Sequence, residues 1–225
     1  PGHVHLINGL YDAHRSNCSV LAIASTCPSD QFGTGYFQET DPIRLFDDCS
    51  GYNQMAVTPA QFARMLPAAL QHAVHKREVA VVGLPGDVAA SPCAESPGAS
   101  GPLPSHGIYR PLDGELRQLA EMIGSAERIT IFCGIGAREA HDEVVRLAAM
   151  LKAPVAYTFK AKMEVQYDNP YEIGMTGLLG LPSAYGAMHE SDLLLLLGTD
   201  FPYDCFLPSE CRIAQVDIRP ERIGR

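Results

Sequence analysis

Between residues 113 and 218 the chain repeats one pattern, a helix-forming stretch followed by a short apolar run, and that alternation leaves few folds open. Asp113–Gly124 sets Leu116, Leu119, Ala120 and Ile123 on one helical face, and the apolar run Ile129–Cys133 follows as a strand. The pattern predicts a second helix over residues 140–151 and a strand over 155–158. A third helix over 185–190 then leads to strands over 192–197 and 213–218. The five leucines of Leu193–Leu197 are far short of the roughly 18 apolar residues of a membrane span and read as a fully buried strand. Strands separated by helices return to the same edge and pair in parallel, so the expected class is α/β with a parallel, doubly wound sheet.

The first part of the chain carries the same signals less regularly. Val4, Leu6, Ile7 and Leu10 suit an amphipathic helix over residues 4–15, and residues 19–25 and 79–84 read as strands. Thr58-Pro59 has the form of a helix start, with Thr as N-cap and Pro in the first turn. Phe62, Met65, Leu66, Ala69, Leu70, Ala73 and Val74 continue its apolar face, and Pro67 predicts a kink or a restart. Residues 89–111 break the pattern with Pro92, Pro97, Pro102, Pro104 and Pro111 among Gly98, Gly101 and Gly107, the composition of a linker. A chain of 225 residues accommodates one to two domains.

Composition narrows the function classes. A net charge of −9, without a basic run, argues against a nucleic-acid partner. Seven cysteines form no CxxC pair, so neither a disulfide framework nor a zinc site is indicated, and reduced thiols in a cytosolic protein are expected. His3 and His5, two apart, would not share a helical face. His72 and His75 lack carboxylate support, so no metal-binding residue is expected in this chain.

Five segments carry candidate binding chemistry, four of them beside a plainer reading. Gly134 and Gly136 close a predicted strand, where glycine lets backbone approach a pyrophosphate; a tight strand-to-helix turn is the alternative. Residues 174–180 (GMTGLLG) offer backbone N–H groups and the Thr176 hydroxyl to phosphates or a flavin edge, or form a flexible connection. Residues 197–201 (LGTDF) sit at the carboxyl end of a strand, where open α/β sheets bind ligands. Asp217, predicted at a strand end, could accept from ribose or adenine, or cap a helix before Pro220. Residues 35–39 (GYFQE) form an aromatic and polar loop, whose alternative is a packed loop with solvated Gln and Glu.

In order along the whole chain, these segments resemble the pyruvate oxidase branch of thiamine-diphosphate enzymes. The resemblance rests on Pro1-Gly2, HLINGL (5–10), GYFQET (35–40), LPGDVA (84–89), YDNPY (167–171), GMTGL (174–178), Leu197–Thr199 and Phe201–Tyr203. It implies that residues 1–105 are the later part of a pyrimidine-binding domain and 106–225 most of a central FAD-binding domain. It places Pro1 and Gly2 at the thiamine aminopyrimidine, and Phe37 and Gln38 as catalytic residues lining the space between thiamine and flavin. FAD would lie along Thr176, Gly177, Leu178 and Leu179 and along Thr199, Asp200, Phe201, Pro202 and Tyr203, with Gly134 and Gly136 beside it and Asp217 near the adenosine. The implied reaction is oxidative decarboxylation of pyruvate to acetate and carbon dioxide, with electrons passing to FAD and then to quinone or oxygen. The family's activating glutamate would precede Pro1 and its motif for Mg2+ and thiamine diphosphate would follow Arg225. The chain is therefore expected to be an internal fragment, inactive alone, of a cytoplasmic homo-oligomer that meets the inner face of the cell membrane through a region outside it. Two departures stand out: His3 occupies a position where relatives carry Asn, and Lys160-Ala161-Lys162 replaces an Arg-Gly-Lys-like turn. An acetolactate-synthase-like carboligase and a degenerate nucleotide-binding module are the competing readings.

Overall fold

In the computed structural model, which describes residues 2–93 and 109–224, the chain divides into two units, Pro1–Ile108 and Tyr109–Arg225. Most of the predicted linker lies outside the described residues.

The first unit is built on a three-stranded parallel sheet, β1 (Val20–Thr26), β2 (Tyr52–Met55) and β3 (Val79–Pro85), in the order β1-β3-β2. The central strand β3 alternates its side chains between two cores, as a period of two requires. Val79 and Val81 pack with Leu10, Ala22, Ala24, Phe46 and Cys49, while Ala80 and Val82 pack with Ala56, Ala69 and Ala73. Helix α1 (Ile7–Arg15) follows a 3-10 turn, Gly2–Leu6, so the helix predicted from residue 4 starts three residues later. The short helix α2 (Pro42–Leu45) is capped by Asp41, whose carboxylate accepts from the Ile43 and Arg44 N–H groups at 3.0 and 3.2 Å. Helix α3 (Pro59–Lys76) begins as its sequence predicts, with the Thr58 hydroxyl accepting from the Gln61 N–H at 3.1 Å.

One expectation needs correcting here, and one strand escaped the sequence reading. Helix α3 does not restart at Pro67 but runs through it for 18 residues. Phe62 and Met65 before the proline and Ala69 and Ala73 after it pack on the same core, which offsets the helical hydrogen bond that Pro67 cannot donate. Strand β2 was not legible, because YNQM is short and half polar and gains its place only by pairing with the buried β3. Helix α4 (Gly86–Ala90) ends the described part of this unit's regular structure.

In the second unit the helix-strand alternation folds as expected. Five strands, β4 (Ile129–Cys133), β5 (Val155–Tyr157), β6 (Glu172–Met175), β7 (Leu193–Leu197) and β8 (Arg212–Val216), form a parallel sheet in the order β6-β5-β4-β7-β8. Helix α5 (Asp113–Gly124) leads into β4, and α6 (His141–Leu151), α7 (Lys162–Val165) and α8 (Pro182–Glu190) connect β4 to β5, β5 to β6 and β6 to β7. Ile131, Val155, Leu193 and Leu195 pack with Val144 and Ala148 of α6, while Phe132, Ala156, Leu194 and Leu196 meet Ala184 and Met188 of α8. The protein is thus α/β with two parallel sheets. Strand β6 and the first turn of α8 were hidden in the glycine-rich run. Strand β8 ends at Val216, leaving Asp217 just beyond it.

Candidate functional site

The order of the second sheet reverses between β4 and β7: β5 and β6 continue to one side, β8 to the other. Loops leaving the carboxyl ends of such strands diverge and open a crevice, the usual ligand site of open α/β sheets. Gly134, Gly136, Thr199 and Asp217 all follow carboxyl ends, on the single edge their sequence positions predicted.

The glycines perform a more local task than approach to a ligand. The Gly134 N–H donates to the Leu197 carbonyl at 2.9 Å, and the Gly136 N–H to the Gly198 carbonyl at 3.0 Å. A Cβ on Gly134 would lie 2.3 Å from the Gly198 oxygen, and one on Gly136 would lie 2.7 Å from the Gly198 Cα. Their missing side chains make room for the 198–199 loop, and Gly198 itself sits at φ +60°, where a Cβ is disfavoured.

The loops after β6 and β7 meet at Phe201. A Cβ on Gly177 would touch its ring at 3.5 Å, and the ring packs edge-on against Phe132 at 5.0 Å and Tyr203 at 5.4 Å. Phe201, Thr176 and Thr199 are buried; Leu178, Leu179, Pro202 and Tyr203 are exposed. Phe201 therefore forms the floor of this edge, and its neighbours present their surface.

Beyond β8 the structure shows residues that the sequence reading passed over. The Asp217 Oδ1 accepts from the Arg219 N–H at 2.9 Å, a local turn rather than a helix cap, since Pro220–Arg222 has no side-chain cap. The Asp200 Oδ2 faces Arg222 Nη1 at 3.1 Å and Arg219 Nη2 at 3.8 Å. The Gln215 Nε2 donates to the carbonyls of Thr199 and Arg222, both at 3.0 Å, tying the end of the unit to the β7 loop. Among the described residues the buried Arg222 Nε has no hydrogen-bond partner, an unmet donor of the kind that a ligand oxygen satisfies. The visible signal was the pair of arginines two and five residues after Asp217.

Two cavities flank the sheet. One of about 320 Å³ lies by β5 and β6, between Tyr157, Lys162, Gln166 and Glu172. There the Glu172 Oε2 accepts from the Tyr157 hydroxyl and the Gly174 N–H, each at 3.0 Å. Burial, and then this bond to Glu172, push the Tyr157 hydroxyl up to about 12, so it stays a donor. The larger, about 620 Å³, lies at the amino ends of β4, β7 and β8 and includes Arg128, Glu190 and Asp192.

In the first unit, Phe37 is 81% exposed and Gln38 adopts φ +68°. Their loop is closed by the Gly33 N–H donating to Glu39 Oε1 at 2.7 Å. Gly2 is exposed at the start of its 3-10 turn, and Pro1 lies outside the described residues. Among the described residues no group of three or more His, Cys, Asp or Glu side chains could hold a metal, and no helix is long and apolar enough to cross a membrane.

Residues 116–225 match the family model described as thiamine pyrophosphate enzyme, central domain. That match covers nearly all of the second unit, which begins at Tyr109. The whole chain is 47% identical to an uncharacterized 42.6 kDa protein of Pseudomonas amyloderamosa, 35% to the putative thiamine pyrophosphate-containing protein YdaP of Bacillus subtilis and 29% to a pyruvate oxidase of Lactiplantibacillus plantarum. It spans 57%, 39% and 38% of their respective lengths. An acetolactate synthase of Mycobacterium bovis is similar at the same 29%, over 38% of its length. The carboxyl-edge loops described above, from Gly134 to Asp217, all lie within the central-domain match.

Proposed function

We propose that the chain serves a thiamine-diphosphate- and FAD-dependent enzyme that oxidatively decarboxylates pyruvate to acetate and carbon dioxide, with quinone or oxygen as final acceptor. The observation that carries the reading is the meeting of two motif segments, 174–178 and 197–203, at Phe201 on the carboxyl edge of one sheet. In this reading Thr176, Gly177, Leu178 and Leu179 lie along one side of a flavin, Thr199–Tyr203 along the other, and Asp217 accepts from the adenosine. The unmet Arg222 Nε supplies a donor nearby, so the residues present fit an oxygen-rich dinucleotide. When bound, thiamine diphosphate takes up the electrons left as carbon dioxide departs, and the flavin accepts two of them. The chain's own contribution is orientation and exclusion of water, with Phe37 and Gln38 lining the reacting space.

The test has two parts. FAD titrated into this chain should bind with quenching of flavin fluorescence. The complete gene product, given thiamine diphosphate, Mg2+ and pyruvate without oxygen, should bleach its flavin. Acetolactate formation with the flavin still oxidised would decide for the carboligase reading, which the equal similarity to an acetolactate synthase keeps in view.

A further inference from the structure

We propose that His3 is a positioning residue for the loop that presents Phe37 and Gln38, an inference that rests on the reading of those two residues given above. His3 is buried, at 8% exposure, and uses both ring nitrogens. Its Nδ1 lies 2.7 Å from the Ser25 carbonyl, which can only accept, so Nδ1 carries the proton. In the neutral ring Nε2 is then an acceptor, and the Thr40 hydroxyl at 3.0 Å donates to it. The ring also stands edge-on to the fully buried Phe46 at 5.9 Å, which fixes its plane. One imidazole thus joins the end of β1 to the last residue of the GYFQET segment.

The loop needs such an anchor. Phe37 is mostly in solvent and Gln38 holds a left-handed conformation that a residue with a Cβ seldom adopts, so packing of these two residues does not define their place. A conformation of this kind persists only where its surroundings impose it. Here the surroundings are hydrogen bonds at the loop's ends. The Gly33 N–H donates to Glu39 Oε1 at 2.7 Å, and the Glu39 N–H to the Tyr36 carbonyl at 2.9 Å. At Thr40 the hydroxyl meets His3 and the carbonyl accepts from the Thr26 hydroxyl at 3.3 Å. His3 holds the one of these contacts that reaches the 3-10 turn at Gly2–Leu6.

The two nitrogens can be separated by substitution. Asn places its amide near the Nδ1 position and can keep the Ser25 contact; Gln reaches the Nε2 position and can keep Thr40. The chain has no tryptophan, so Phe37→Trp supplies a single fluorescent reporter at an exposed site. In that background His3→Asn and Thr40→Val should each speed amide exchange at Gly33 and Glu39 by about 5- to 10-fold, the loss of one hydrogen bond, and loosen the tryptophan's anisotropy decay. His3→Gln and Thr40→Ser should stay within about twofold of the parent. The His3→Asn, Thr40→Val double variant should add nothing to either single change. Equal acceleration by His3→Asn and His3→Gln, in step with their melting temperatures, would make His3 a general scaffold residue and overturn the proposal. If His3→Asn fails to fold, Thr40→Val carries the test alone, and unchanged exchange there overturns it equally. Turnover of the complete gene product with Phe37→Ala and Gln38→Ala judges the parent reading separately. Normal turnover there would refute the catalytic role while leaving the loop measurement to stand or fall by itself.

Discussion

At the amino ends of β4, β7 and β8 the polar groups close on one another, whereas at the carboxyl ends it is the backbone that closes and a polar group is left over. The Asp192 carboxylate accepts from the Glu127 and Arg128 N–H groups at 2.8 and 2.9 Å, and Arg128 Nε donates to the Glu190 carbonyl at 2.7 Å. The cavity there is the larger one, yet the Asp192 carboxylate and the Arg128 Nε on its wall are already engaged. At the opposite edge, glycines press the β4 and β7 loops together, and Arg222 Nε remains without a partner among the described residues. The volume of a cavity and the availability of unsatisfied groups therefore point to different ends of one sheet. The second is the better guide to binding, because a buried donor without an acceptor costs free energy that a ligand recovers.

The strongest way to break this contrast is at Asp217. If it accepts from an adenosine hydroxyl, Asp217→Ala removes a charge-assisted hydrogen bond of about 1.5–3 kcal/mol and weakens FAD binding roughly 10- to 100-fold. Asp217→Asn retains an acceptor for the Arg219 N–H. Unchanged titrations with both variants would return Asp217 to a purely local turn. A second test compares stability at the two edges. Gly134→Ala forces a Cβ against Gly198 and Thr199 and should destabilise the unit by about 1–3 kcal/mol in denaturant. Ser209→Ala, on the exposed lining of the amino-end cavity, should stay within about 0.5 kcal/mol. Similar losses from the two would erase the distinction.

The smallest effect concerns acid. The Glu127 and Arg128 N–H groups hold the Asp192 carboxyl below its ordinary value. A depressed carboxyl contributes stability that is complete above the unfolded value of about 3.9 and is lost as pH falls through the lower folded value. Asp192→Asn should flatten that acid limb and leave FAD affinity untouched; an unchanged limb would assign the acid sensitivity elsewhere.

The regular second sheet was legible because its apolar runs are bounded by helices of clear period; residues 129–133 were read to the residue and the 192–197 strand to within one. Strand β6 was not legible, since EIGM opens a glycine-rich run and owes its extended form to pairing with β5. The Gly134 and Gly136 positions were visible, but not what fills the space beside them, because contact between loops after β4 and β7 depends on strand order. Gln215 and Arg222 escaped for the same reason. Their partners Thr199 and Asp200 lie on another loop, and no spacing in the sequence announces that meeting.

The position of β3 at the centre of the first sheet has a consequence for how a ribosome must deliver this chain. Among the described residues β1 and β2 each pair with β3, which is made last of the three. Until residue 85 is synthesised, β1 and β2 lack the strand they share, and an unpaired edge invites mispairing. In the second unit the central β4 is made first, and β5 and β6 can add to it in the order of synthesis. Pairing with the central strand therefore comes late in the first sheet and early in the second, and slowing translation just before residue 79 should lengthen the interval in which β1 and β2 await β3.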